Sequence, residues 1–154
     1  MITIIVVGSV KERFLADGCN HYLERLKRAY KTTVTTIKPS TNVDGNKQRT
    51  EESERILQAL QKASGTIIVL DERGKTLNSP ALANMLKQAK DYGTELIFVI
   101  GGAFGMNDAV RNKADKVIKL SDCVFPHELF RLMFFEQLYR AGEINRGSKY
   151  HHDL

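Results

Sequence analysis

Leu96-Ile97-Phe98-Val99-Ile100-Gly101-Gly102-Ala103-Phe104-Gly105 opens with an uninterrupted apolar run and ends in a cluster of glycines. A run that short and that uniformly apolar offers no side to water, so it reads as a strand buried on both faces, as in a parallel sheet covered by helices. The same pattern recurs on either side of it. Thr66 to Leu70 is a second continuous apolar run, Ile2 to Val7 a third closed by Gly8, and Val34 to Ile37 and Lys116 to Leu120 are weaker strands. Helical spacing fills the intervals. Phe14, Leu15, Cys19, Tyr22, Leu23, Leu26 and Tyr30 follow a capping-box pattern at Ser9-Val10-Lys11-Glu12. Ile56, Leu57, Leu60 and Ala63 mark a helix stopped by Gly65, and Ser79-Pro80 supplies an N-cap and first-turn proline for Leu82, Met85, Leu86 and Ala89. Met106 to Ala114 reads as a short helix. Pro126 opens a last one, whose apolar residues Leu129, Leu132, Met133, Phe134, Phe135, Leu138 and Tyr139 cover more than one face, as expected of a helix buried widely or against a partner chain. Ser40 to Gln48 is the one linker-like stretch and reads as a loop. Strands alternating with helices predict an α/β fold with a parallel sheet and right-handed crossovers.

A chain of 154 residues can bury about 68–70% of its unfolded surface, enough for one core, so residues 1–154 are expected to form a single domain. No apolar run approaches the roughly 18 residues of a membrane span, and Met1 leads directly into a strand pattern rather than a signal peptide, which predicts a cytoplasmic protein without membrane association. Cys19 and Cys123 lie far apart in segments of different kind, with neither disulfide nor zinc spacing; both are expected to be reduced thiols, and no metal is expected. The net charge of +5 and pI near 9.2 suit a polyanionic partner, although such a charge also serves solubility alone.

In an open parallel sheet ligands sit beyond the carboxyl ends of the strands, which directs attention to the chain after Leu70, after Ile100 and after Leu120. Glycines at 101, 102 and 105 allow a ligand close to the backbone, or simply make a tight turn. Gly8 is followed by Ser9, Val10 and Lys11 with no further glycine, which disfavours a dinucleotide site, and no Walker lysine follows Gly101, which disfavours a nucleotide-hydrolysing phosphate loop. Ser121-Asp122-Cys123-Val124-Phe125-Pro126-His127 brings together a carboxylate, a thiol and an imidazole. Cys123 reads as a small apolar filler, while His127 in a helix's first turn serves either as a cap or as a substrate contact. The tail Arg146-Gly147-Ser148-Lys149-Tyr150-His151-His152-Asp153 suits RNA, with cations for phosphates and Tyr150 to stack on a base, unless it is a frayed end.

Taken together, Ile4-Ile5-Val6-Val7-Gly8, Leu70-Asp71-Glu72-Arg73-Gly74-Lys75, Phe98-Val99-Ile100-Gly101-Gly102, Phe125-Pro126-His127, Glu136-Gln137-Leu138-Tyr139-Arg140-Ala141 and Tyr150-His151 make the chain resemble the SPOUT methyltransferases nearly end to end. The resemblance implies a trefoil knot in the C-terminal part, a homodimer packed through that region, and S-adenosylmethionine (SAM) as cofactor. It implies methylation of N3 of a pseudouridine in 23S rRNA of the large ribosomal subunit, with the assembled ribosome expected as partner and free rRNA the alternative substrate. The cofactor contacts it implies are Leu70, Gly102 and the run Leu120, Ser121, Asp122, Cys123, Val124 and Phe125. His127, Tyr150 and His151 become the candidates for catalysis, and Arg131, Arg140, Arg146, Lys149 and His152 those for RNA contact. Relatives often carry Arg or Lys where this chain has His152, so a fixed positive charge is missing there. Two other classes compete with this reading: a noncatalytic ribosome-binding module that keeps the fold, and a small hydrolase using Cys123 or the histidines.

Overall fold

A computed structural model describes residues 1–152. Its elements are β1 (Ile2–Val7), α1 (Arg13–Ala29), β2 (Thr32–Ile37), α2 (Gly45–Leu60), β3 (Thr66–Thr76), α3 (Ser79–Asp91), β4 (Leu96–Ile100), α4 (Asp108–Lys113), β5 (Lys116–Lys119) and α5 (His127–Asn145). All residues of β4 are buried. This strand is central in a five-stranded sheet of order β2-β1-β4-β3-β5, paired in parallel to β1 through Ile4↔Phe98 and to β3 through Ile68↔Phe98. Strand periodicity then divides the core in two. Ile4, Phe98, Ile68 and their alternates pack under α1, α3 and α5, with the Phe98 and Phe134 rings edge to face at 5.1 Å. Ile5, Ile97, Val99, Val69 and Ile67 pack on the opposite face against Ile56 and Leu60 of α2 and Val110 of α4. The expected α/β parallel-sheet architecture is what the chain adopts.

Four local expectations are corrected. The box at Ser9 does not form: α1 begins at Arg13, no side chain of its own caps it, and Glu128 of α5 accepts from the backbone N–H groups of Lys11 (3.0 Å) and Glu12 (3.3 Å) instead. The stretch Ser40 to Gln48 is only partly loop, because α2 starts at Gly45 with Asp44 accepting from the Lys47 N–H. Its first turns carry no apolar residue to betray them, since the polar Glu52 and Ser53 are what this helix buries next. The cap of α3 is Asn78, which accepts from Ala81 N–H at 2.9 Å, while the Ser79 hydroxyl donates to Gln137 at 2.6 Å. Lastly, β3 continues past Leu70 to Thr76. Leu70 and Lys75 both stand opposite Ile118, so Asp71 to Gly74 form an excursion in the strand, and Gly74 lies so close to the Ile118 backbone that a Cβ would come within 2.5 Å of it.

Among the described residues no helix is long and apolar enough to cross a membrane.

Candidate cofactor cleft and nucleic-acid surface

The carboxyl ends of β3, β4 and β5 open into a cleft of about 570 Å³, within the range of small-molecule sites. Its floor is a tight turn. Gly105 N–H donates to Gly102 O at 3.0 Å, and Gly105 has φ +71°, a backbone conformation that side-chain-bearing residues rarely adopt. A Cβ on Gly101 would come within 2.9 Å of Met106 Cγ, and one on Gly102 within 2.4 Å of Glu52 Oε2, so a side chain at either position would have to displace the group packed behind the turn. Leu70, Gly102, Leu120, Ser121, Cys123, Val124 and Phe125, all expected at a cofactor, line the cleft. Asp122 does not. Its carboxylate turns to solvent and pairs with Lys119 at 2.6 Å, an ion pair that holds its carboxyl below the usual range. Val124 and Phe104 are exposed at the rim, presenting apolar surface that a planar heterocycle can cover. The glycine floor and apolar rim, without a phosphate-gripping lysine at the turn, fit SAM.

Other residues of the cleft gave no signal in the sequence. Arg111 Nη1 donates to Asp71 at 2.9 Å and to Met106 O at 2.6 Å, and Nη2 to Asp108 at 2.7 Å, which ties the β3 excursion to the end of the glycine turn. The Arg111 hydrogen bond keeps the Asp108 carboxyl below its ordinary range. Arg49 and Arg73 also line the cleft. Arg49 falls at the start of the helix whose opening was hidden, and Arg111 is one of many cations in a polar stretch; neither stands in a motif.

The candidates for catalysis and RNA contact separate into three places. His127, the first residue of α5, is half-buried and faces the cleft. Arg131 lies one turn on and is buried, its guanidinium donating to Val7 O (2.8 Å) and Gly8 O (2.9 Å) at the end of β1. A guanidinium so enclosed is not available to phosphates, and its expected place on an RNA surface is withdrawn: it ties α5 to the sheet. The rest gather at the far half of α5. Tyr150 packs edge-on to Tyr139 and donates to Glu136 at 3.1 Å; Arg140 pairs with Glu136 and lies over the Tyr150 ring at 5.0 Å; His151 approaches Arg140 at 3.5 Å. Burial, with hydrogen bonding to Tyr22 and Glu136, pushes the Tyr150 hydroxyl well above its usual range, so it serves as a donor rather than a base. Arg146, paired to Glu143 at 2.8 Å, and the exposed Lys149 and His152 continue this surface, and Asp153 lies outside the described residues. From His127 to Glu136 the helix rises about 13 Å, so Tyr150 and His151 do not reach the cleft of their own chain.

A groove of about 410 Å³ lies between the two regions, with Tyr22, Leu132, Met133 and Glu136 among its walls, and it shares Leu120 with the cleft. Cys123 is exposed, with its N–H donating to Ser121 Oγ at 2.9 Å, and Cys19 is buried, which raises its thiol.

A protein from Solidesulfovibrio magneticus named ribosomal RNA large subunit methyltransferase H is 38% identical over 152 residues, covering 98% of each chain. Its namesake from Symbiobacterium thermophilum is 39% identical over 158 residues, covering 97% of this chain and 98% of its own. Among solved structures, a putative RNA methyltransferase from Bacillus anthracis superposes with TM-score 0.54 at 12% identity, covering 99% of this chain and all of its own. A probable methylase family protein from Haemophilus influenzae gives 0.58 at 12% identity, covering 99% of this chain and 70% of its own; at that identity these two speak to the fold alone. The family model described as a predicted SPOUT methyltransferase matches residues 1–151, and the chain, by that match, by its relatives and by its parallel sheet, belongs to the SPOUT methyltransferases.

Proposed function

We propose that the cleft holds SAM and that the chain methylates N3 of a pseudouridine in 23S rRNA of the large ribosomal subunit, as a single-domain cytoplasmic homodimer acting on the assembled ribosome. The observation that carries this reading is the meeting of the three strand-end segments, after Leu70, Ile100 and Leu120, in one cleft with His127 at its edge. The strand order is also compatible with the trefoil knot the family resemblance implies, which we include in the proposal.

When bound, the cofactor supplies an activated methyl group. The chain contributes position and proton handling. The Gly101–Gly105 turn and the segment Leu120 to Phe125 fix the donor side, and near-attack alignment of this kind can be worth about 7–11 kcal/mol. His127, within the cleft, accepts or directs the proton that N3 must shed, an assistance of typically about 10²–10⁴-fold. Arg140, Arg146, Lys149 and His152 hold rRNA phosphates on the separate surface at the far half of α5, and Tyr150, protonated, offers a ring and a donor there rather than a base. His151 orients the base from the same surface. Because that surface lies away from the cleft in its own chain, both regions serve one substrate only if rRNA spans them or a second protomer brings them together.

Isothermal calorimetry with SAM and mass spectrometry of 23S rRNA from a strain lacking the gene test the reading. Saturable SAM binding and loss of a single methyl-pseudouridine, restored by the wild-type gene, are expected. Absence of SAM binding favours a noncatalytic ribosome-binding module. SAM binding with unchanged rRNA refutes the substrate.

A further inference from the structure

Behind the floor of the cleft lies a carboxylate that none of the steps above uses. Glu52 of α2 is 1% exposed. Its Oε1 accepts from Ser40 N–H at 3.0 Å and from Gln48 Nε2 at 3.2 Å, whereas its Oε2 is buried with no hydrogen-bond partner. Among the described residues Glu52 enters no ion pair, although other carboxylates of the same helix and the neighbouring turn do: Glu51 with Arg55, Asp71 and Asp108 with Arg111. The bare oxygen is directed at Gly102, where a Cβ would meet it at 2.4 Å, and Gly102 lines the cleft. The thickness of one glycine therefore separates an uncompensated acidic oxygen from the ligand space. Leaving such a group buried is costly unless something of opposite sign comes near.

Resting on the reading of the cleft as a SAM site, we propose that Glu52 sets the charge preference of that site, favouring the cationic sulfonium of the cofactor over the neutral thioether S-adenosylhomocysteine that remains after transfer. Methyl transfer breaks the C–S bond and leaves its electron pair on sulfur, while N3 gains the methyl group and gives up its proton to a base; the positive charge that Glu52 attracts is gone once the product forms. Glu52 thereby acts through space as a specificity-determining residue, aiding cofactor capture and product release, and it touches neither ligand.

A role confined to shaping the turn would change both affinities alike, so the readout is their ratio. SAM and S-adenosylhomocysteine are titrated separately by calorimetry into the wild-type protein and into Glu52→Gln, with thermal melts to verify folding. The expected result is a roughly ten-fold weaker SAM affinity in Glu52→Gln with S-adenosylhomocysteine changed less than about two-fold. A proportionate loss for both ligands, or no change for either, overturns the proposal. Should Glu52→Gln not fold, Gln48→Lys provides the second arm, because it places an ammonium beside Oε1 at a half-buried position and neutralises the carboxylate without removing it; the same shift in ratio is expected, and an unchanged ratio refutes the inference. Failure of the wild type to bind SAM at all would instead refute the reading of the cleft, which the wild-type titration reveals by itself.

Discussion

At the scale of single residues, polar side chains buried for structural reasons are what a sequence conceals best. Arg131 in its helix looks like one more cation of a basic chain, yet it closes the end of β1 by donating to Val7 O and Gly8 O. Replacing it with methionine preserves the apolar volume but orphans those carbonyls, at a cost of about 1–3 kcal/mol each. Arg131→Met is therefore expected to lower the unfolding free energy read from urea titration by several kcal/mol while the folded fraction keeps its affinity for ribosomes; an unchanged stability with weakened ribosome binding would return Arg131 to the RNA surface. Glu128 makes a pH-dependent prediction. Burial pushes its carboxyl upward, but the Glu12 and Lys11 N–H groups outweigh that and hold it below its ordinary value of 4.5. A depressed folded value means that the stabilisation is present above that ordinary value and fades as pH falls through the lower one. The stability difference between wild type and Glu128→Gln, followed by urea unfolding across pH, should be full at neutrality and shrink in acid. A difference that stays constant with pH excludes the cap as its source.

At the scale of elements, what was legible followed from burial. β1, β4 and β3 as far as Leu70 stood out because each places apolar residues on both faces of the sheet, β2 and β5 only weakly because each buries a single residue, and α1, α3 and α5 because their apolar residues recur over a long stretch. The start of α2 was hidden for the converse reason: Gly45 to Arg49 has no apolar residue, and its next buried positions are Glu52 and Ser53. The misassigned caps at Ser9 and Ser79 share a cause, since a local pattern names a possible acceptor and the fold supplied other ones, a distant Glu128 and the adjacent Asn78. For the site, strand-end reasoning found the cleft's three segments because topology alone dictates them. It missed Arg111 and Glu52, whose roles exist only once α2, α4 and the β3 excursion are assembled. The tail tests the division of labour along α5. Deleting residues 150–154 removes Tyr150 from Glu136 and His151 from Arg140, all remote from the glycine turn. SAM affinity should remain within about two-fold by calorimetry while methyl transfer to ribosomes falls by about 10²-fold or more, as expected when binding groups for the substrate are lost. Wild-type transfer rates in the truncated protein would show the tail to be a frayed end.

At the scale of the whole molecule, the proposed homodimer is argued from α5. Phe134, Phe135, Leu138 and Ala141 are spent on the chain's own core, whereas Leu132 and Met133 line the open groove and Phe14 of α1 is 70% exposed. Apolar surface of this kind is what the proposed homodimer would cover. Multi-angle light scattering at micromolar concentration should give twice the 17.4 kDa chain mass, and a monomer that still methylates would remove the homodimer from the proposed function. The strand order has a consequence of another kind, in time rather than in space. Ile2 pairs alongside Leu96, and β3 reaches β1 and β2 through the same strand. During synthesis β1 with β2, and the long β3, emerge from the ribosome as two pieces with no shared edge until β4 arrives between them. The central slot stays open until β4, which begins only at Leu96, is made, and closing so distant a pairing is slow. The nascent chain must thus keep the β1 edge from foreign partners from the outset, and the β3 edge until β4 follows it, beside the very particle that its mature form is proposed to modify.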